Sequence, residues 1–542
     1  MLLNVPYKGS SLERASHIII PVILIILTVL LSLHNYYTIL LINPDEGIAL
    51  YGAKRILLGQ TLYKDFFDIV TPGTDYLLAG IYKIFGTTLK VARITSIIIN
   101  ALNVAMLYLI SLSFLKNKLS ALIPALFLMI IYVTNVEYDA VSHHWFMITA
   151  AIFTLLLSIE SENNKTNWIF PGIGTFLVFI FMQSEGLMLY MVLAFFFFVK
   201  LLLDNHKYRD VIHDLIYYSL GFWLPLVVVF LMFLSNGGGK SFIYDIFIWP
   251  WQHYKVINNG SHFLNPIDEL KYHILGYPLI QSITMFAIWY LPPILIILCT
   301  ILIVRKYFNK KVIDYQFLLL LLFLSAFIVN ELFIISPYIY RFVIYWPFFL
   351  IIILTLWKND KGLLHTFFRY TGIIYIIGGL IFLGYFCERN FSYSNFVGEH
   401  SIKLNSPAGN ILVVNNSRGI VSLILILLND VHWKFPRNIF VFYWSPILYF
   451  ISGSNNPTIL NTYIPLYNSK KQINTVIQQL AISRPTLIIK DNYLSALQSL
   501  PKHYNNQNVF NPKNDKILQY IIKHYVISHN IYGAYTIYRL KK

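Results

Sequence analysis

The chain has 542 residues, 57% of them hydrophobic, 17% aromatic and only 12% charged, with a formal net charge of +16 and mean hydropathy +0.61. Soluble domains carry about 25% charged residues. A chain this apolar has too little polar surface to cover a soluble globule, and it reads as a polytopic α-helical membrane protein. Its two cysteines, Cys299 and Cys387, exclude a disulfide framework and a cysteine-built metal cluster.

The start, MLLNVPYKGSSLERASH, is polar for too long to be a cleaved signal peptide, and the first apolar run, 18–42, is long enough to span and stay. Apolar runs bounded by charges predict about eleven transmembrane helices, near 18–42, 94–115, 119–135, 144–159, 168–182, 186–203, 213–234, 276–304, 315–335, 339–357 and 367–386. With the N-terminus cytoplasmic, Lys and Arg crowd the cytoplasmic segments. The short loops on the other side, near 136–143, 183–185 and 336–341, carry only Arg341. This positive-inside pattern predicts a multi-pass protein of the cell (plasma or inner) membrane. Residues 1–386 form its membrane module, with outer loops 43–93 and 235–275. Residues 387–542 form an extracytoplasmic domain.

The first outer loop opens with Asp45-Glu46, where an apolar run leaves the bilayer. Carboxylates there, in a loop too long for a connector, suggest chemistry. Pro44-Asp45-Glu46 also resembles a helix start, where acidic residues suit the positive end. Both roles can coexist, because a carboxylate at a helix start can take a proton from a hydroxyl. Further along, Tyr63, Phe66 and Phe67 fit a short amphipathic helix in the interface, Asp65 and Asp68 read as structural, and Thr71-Pro72-Gly73 is a turn.

In the loop around 136–143, Glu137, Asp139, His143 and His144 gather within eight residues at the mouth of a span. Adjacent histidines cannot both face one point on a helix, so the pair alone makes no metal site. One His or Asp hydrogen-bonding a polar substrate fits better. Glu185 begins the next outer-facing span, as a solvated cap or a pocket residue. Gly237-Gly238-Gly239-Lys240 reads as a flexible linker, without the flanks of a nucleotide loop. His253 and Lys255, in WPWQHYK, offer a possible phosphate contact. Arg341, in SPYIYRFVIYWPFF, is a natural phosphate ligand, because guanidinium binds phosphate bidentately. Its bland alternative is snorkelling to head groups.

From Phe386 onward, apolar runs shrink to strand length at 411–415, 438–444, 486–490 and 535–540, alternating with helical patterns at 470–482 and 515–525. This predicts a small α/β domain. The stretch 420–428 is too short to span and reads as a buried or membrane-touching helix. The domain holds sixteen Lys and Arg against five Asp and Glu. Such a basic face attracts phosphates and anionic head groups, or only keeps the domain soluble. A nucleic-acid partner is not expected outside the cytoplasm.

An N-terminal span, a long outer loop opening with an acidic pair, and a G-x-x-LY-x-DFF…PG…YLLAGIYKIFG…R segment resemble membrane glycosyltransferases of the C-type superfamily. Within it the pattern is similar to the family 39-like enzymes, which include protein O-mannosyltransferases and aminoarabinose transferases. The resemblance implies transfer of a sugar from a polyprenyl-phosphate donor to a glycan, lipid or protein acceptor at the outer face, with inversion. It implies Asp45 as the catalytic base with Glu46 beside it, and Arg341 with Lys255 at the donor phosphate. His253, His143, His144, Asp139 and Glu185 are the remaining substrate-binding candidates. Thr71 stands where relatives often have a basic or histidine residue. No metal ligand set is assigned; a divalent cation is the one cofactor left open, and the sequence requires none. The competing reading is a transporter or flippase of lipid-linked saccharides, which usually places ionisable residues in mid-membrane. Here the polar residues gather at the outer surface instead.

Overall fold

Each apolar run expected to span falls on a helix. These are Ser11–Leu33, Leu89–Leu115, Lys118–Val133, His143–Asn164, Ile169–Phe181, Gln183–Leu203, Tyr208–Ser235, Leu279–Lys310, Tyr315–Phe333, Ile339–Asn359 and Leu363–His400. The structure is a computed structural model that describes residues 11–33, 37–41, 43–164, 166–203, 208–253, 279–310, 314–333, 339–359, 363–414, 419–429, 438–443, 445–463, 468–492 and 514–541. Among the described residues, four helices are long and apolar enough to cross a membrane by length and composition: Leu89–Leu115, Gln183–Leu203, Tyr208–Ser235 and the one starting at His143.

The helix from His143 is central: Met147, Ile148, Ala151, Ile152 and Leu155 are all buried. Tyr208–Ser235 is peripheral and presents Leu220, Trp223, Leu224, Val227, Val228 and Leu231 outward, as a lipid-facing helix must. It packs closely on Ile169–Phe181 through glycine. A Cβ on Gly172 would strike the Tyr218 carbonyl, and one on Gly221 would strike the Ile169 carbonyl. Small residues at such crossings let helix backbones approach.

Three local expectations are corrected. The first helix ends at Leu33 rather than continuing to 42. The chain at Thr38–Leu40 instead pairs with a distant strand, Leu40 N–H donating to the Leu412 carbonyl at 2.8 Å and Leu412 N–H to that of Thr38 at 3.1 Å. Residues 58–72 form turns rather than an amphipathic helix. Tyr63 (φ +66°) and Phe66 are buried, with Tyr63 edge-on to Phe233 and Phe242. Gly237 (φ +79°) belongs to a tight turn, and Gly239 already starts a helix packed on Leu234, so this stretch is no free linker.

The last apolar helix runs on to His400. A hairpin of β1 (Ser401–Ser406) and β2 (Gly409–Val414) follows. Strands β3 (Ile439–Phe442), β4 (Leu487–Asp491), β5 (Tyr525–Ile531) and β6 (Tyr535–Leu540) form a sheet of order β3-β4-β6-β5. Only β3 and β4 are parallel, with Val441 opposite Ile489. Helices Ile420–Asn429, Ile447–Ile451, Lys470–Ser483 and Lys516–His524 flank it. The stretch read as a buried or membrane-touching helix is buried: Leu423, Ile424 and Leu427 lie in the core. That core is shared with Ala49, Leu50 and Tyr51 of the first loop, so the α/β unit is seated on the membrane module.

Candidate functional site

The sequence Asn43-Pro44-Asp45-Glu46 starts helix Pro44–Leu57 in a specific way. Asn43 is extended (φ −103°) and its side-chain oxygen accepts from Asp45 N–H at 2.9 Å and Glu46 N–H at 3.5 Å. Pro44, with fixed φ and no N–H, suits the first position. Asn43 thus takes the capping bonds, and the Asp45 side chain is left exposed.

Glu46 turns the other way and is fully buried. Its Oε1 lies 2.7 Å from Arg93 Nε, its Oε2 accepts from Arg93 Nη2 at 2.8 Å, and Val141 N–H donates to Oε1 at 3.2 Å. Arg93 also donates to the Ile39 carbonyl at 3.3 Å. This pair ties the loop helix to the start of helix Leu89–Leu115 and to the loop around 136–142. The acidic pair therefore diverges, with Asp45 outward and Glu46 inward.

Two carboxyls of that second loop approach from the side. Glu137 is raised by burial, opposed by Arg93 and by a hydrogen bond from Asn43, and pushed further by the Asp45 charge. Asp139 is 1% exposed, and among the described residues neither of its oxygens has a hydrogen-bond partner. Burial pushes it up to about 8, opposed by Arg93 and reinforced by Glu46.

Asp68, Asp75 and Asp245 are three further buried acids, linked electrostatically through Asp68. Burial raises all three, Asp68 to about 6 and Asp245 to about 8. The Asp68 charge raises both Asp75 and Asp245, and that of Asp45 raises Asp68. Asp68 accepts from Val70 N–H at 3.0 Å. Gly52 gives Asp75 its room, since a Cβ there would meet the Asp75 carboxylate. Gln183 holds the segments together by donating to the Ile69 carbonyl at 2.8 Å and the Ile246 carbonyl at 3.3 Å. Among the described residues, no three His, Cys, Asp or Glu side chains are grouped to hold a metal ion.

The other candidates scatter around this centre. His143 and His144 open their helix with rings 4.0 Å apart, His144 buried. Glu185 is buried and accepts from Ser184 Oγ at 2.6 Å. His253 stacks on Trp249 at 5.0 Å, and Trp249 in turn donates to Gln472 of the α/β unit at 3.1 Å. Arg341 lies in the first turn of helix Ile339–Asn359; its side chain and all of Lys255 are outside the described residues. The structure thus brings together Asp45, Glu46 and Asp139, with Glu137.

Four residues carry weight that the sequence alone did not assign. Arg93 pairs Glu46. Asp245 joins the buried carboxylates. Tyr51 and Arg55 join the loop helix to the α/β unit. Arg55 is 2% exposed and donates to the Thr458 carbonyl at 3.0 Å, Asn461 Oδ1 at 2.9 Å, Gln60 Oε1 at 2.6 Å and the Asp65 carbonyl at 3.4 Å. Tyr51 stacks on Tyr449 at 4.8 Å, and its hydroxyl accepts from Asn456 N–H at 2.6 Å. A charged residue at the margin of an apolar run, as Arg93 is, was the available signal, because such a charge needs a partner.

An apolar helical bundle gathering carboxylates at one end, beneath an α/β unit, defines a multi-pass membrane protein with a polar site where the loops meet. Residues 70–233 match the family model described as dolichyl-phosphate-mannose-protein mannosyltransferase. ArnT from Cupriavidus metallidurans in the apo state is similar in fold, with 10% identity and TM-score 0.53 over 95% of this chain and 97% of that one. ArnT bound to undecaprenyl phosphate aligns more weakly, with 11% identity and TM-score 0.47 over 98% of each chain. The oligosaccharyltransferase of Archaeoglobus fulgidus gives 12% identity and TM-score 0.44 over 88% of this chain and 69% of that one. No curated protein sequence matches the chain. The resemblance to the C-type membrane glycosyltransferase superfamily is thus borne out, in sequence over 70–233 and in fold against apo ArnT.

Proposed function

We propose that the chain is a glycosyltransferase that moves a sugar from a polyprenyl-phosphate donor to an acceptor hydroxyl at the outer face of the membrane. The observation that carries this reading is the divergence at the head of helix Pro44–Leu57. Asn43 takes the cap and Arg93 takes Glu46, so the exposed Asp45 is the carboxylate left to meet substrate. The family model's lipid-phosphate sugar donor supports the donor class.

In this mechanism the acceptor oxygen attacks the anomeric carbon as its proton passes to Asp45, a general-base step. The bond from the anomeric carbon to the phosphate oxygen breaks, and polyprenyl phosphate leaves with the electron pair. Attack opposite the leaving group inverts the anomeric configuration. Arg341 and Lys255 are assigned to the leaving phosphate. Glu46 acts as a positioning residue, because it reaches the site only through Arg93 and the backbone of Val141.

The test is incubation of the purified chain with a polyprenyl-phosphate sugar of known anomer and an envelope extract. Release of polyprenyl phosphate with a product of opposite anomeric configuration by NMR is expected. A product of retained configuration, or no release with any such donor, overturns the proposal.

A further inference from the structure

A cleft of about 670 Å³ opens between the loop helix and the α/β unit, and none of the catalytic assignments uses it. Its walls include Tyr51, Asp65, Asn438, Asn455, Asn456 and Gln479. Four of these are carboxamides, which carry donors and acceptors together; the Asn456 amide is spent on Leu460 and Thr458 and Gln479 Oε1 on Ile459 N–H, while Asn438, Asn455 and Gln479 Nε2 line the cleft. A sugar hydroxyl is likewise both donor and acceptor, so an amide-rich wall suits a polyol better than an apolar or purely cationic ligand.

The charges narrow the ligand further. Arg55 lines the floor, but its guanidinium is buried and committed to Thr458, Asn461, Gln60 and Asp65. It holds the cleft's two walls together rather than offering a free cation. Asp65 is the exposed charge at the cleft; its Oδ2 accepts from Thr61 N–H at 2.7 Å. A carboxylate there repels phosphates and uronic acids and accepts hydrogen bonds from neutral diols.

Position supplies the connection to chemistry. Tyr51 and Arg55 lie six and ten residues beyond Asp45 on one helix, about 9 to 15 Å along its axis at 1.5 Å per residue. The geometry points to this cleft as a binding site for a neutral oligosaccharide, the body of the acceptor whose reacting end lies at Asp45. Its role as acceptor rests on the glycosyltransfer reading; the binding of glycan does not.

The full chain in lipid nanodiscs, applied to an array of neutral and anionic oligosaccharides, tests this directly. Wild type is expected to retain neutral oligosaccharides. Asn455→Trp, which fills the cleft, should lose about tenfold or more in affinity, and Asn438→Ala, at the exposed rim, about fivefold, the worth of one hydrogen bond. Asn438→Ala keeps the test decisive if the larger substitution does not fold. Asp45→Asn should retain the glycans, because the cleft does not contain it. Glycan retention by a wild-type chain that transfers no sugar removes the glycosyltransfer reading and leaves the cleft. Retention of anionic glycans alone, of none, or equally by wild type and Asn438→Ala overturns the proposal.

Discussion

Glu46 and Arg93 meet as a two-point ion pair, Oε1 2.7 Å from Nε and Oε2 2.8 Å from Nη2, with neither side chain exposed. Because successive helical residues point about 100° apart, anchoring Glu46 inward fixes the direction of Asp45. The pair thus orients the proposed base while staying away from substrate.

This arrangement predicts how substitutions behave. Arg93→Met leaves a carboxylate buried without its partner, at a cost of about 3–5 kcal/mol. The double variant Glu46→Leu/Arg93→Met removes both charges and should recover much of the loss. Thermal unfolding in detergent measures both. A double variant no more stable than Arg93→Met contradicts the ion-pair account.

The buried acids predict a pH dependence. Burial holds Asp139 and Asp245 up to about 8, well above their unfolded range of about 4. The folded state then binds more protons than the unfolded one. Its advantage is complete below the unfolded value and is lost as pH rises through about 8. Melting temperature should fall across that window, and Asp139→Asn, which mimics the neutral acid, should flatten the fall. A wild-type profile that rises or stays level toward pH 8 contradicts the assignment.

The membrane helices were legible because unbroken apolar runs carry their own signal, and β3, β4 and β6 because their strands are short and apolar. β1 and β5 were not. SIKLNS is too polar to read as a strand, and β5 is an edge strand whose Val526 and Ile527 are exposed, so its pattern merged with the preceding helix. The helix reaching His400 was also hidden, because its polar end resembles a loop. Asp45 stood out as a charge at a membrane margin. Its setting did not, since the Glu46–Arg93 pair and the Arg55–Thr458 bond join residues 47 and 403 positions apart.

Arg341 separates two roles by chemistry. If it holds the donor phosphate, Arg341→Ala weakens donor use and Arg341→Lys rescues it only in part, because lysine lacks the bidentate fork. The Michaelis constant for a polyprenyl-phosphate sugar in detergent is the readout. Equal values for all three proteins place the phosphate elsewhere.

Orientation has its own test. Lys470 is exposed at the start of helix Lys470–Ser483. A cysteine placed there, with Cys299 and Cys387 replaced, should react with an impermeant maleimide on intact cells or spheroplasts. Labelling only after the membrane is opened reverses the topology and removes the outer-face mechanism.

The central claim is that Asp45 takes the acceptor proton, and turnover by Asp45→Asn measures it most directly. The amide keeps the side chain's shape, and Asn43 still caps the helix, so folding and donor binding should persist. The rate of polyprenyl phosphate release should fall about 10²–10⁴-fold, the usual worth of a general base. Wild-type turnover by Asp45→Asn would contradict the account.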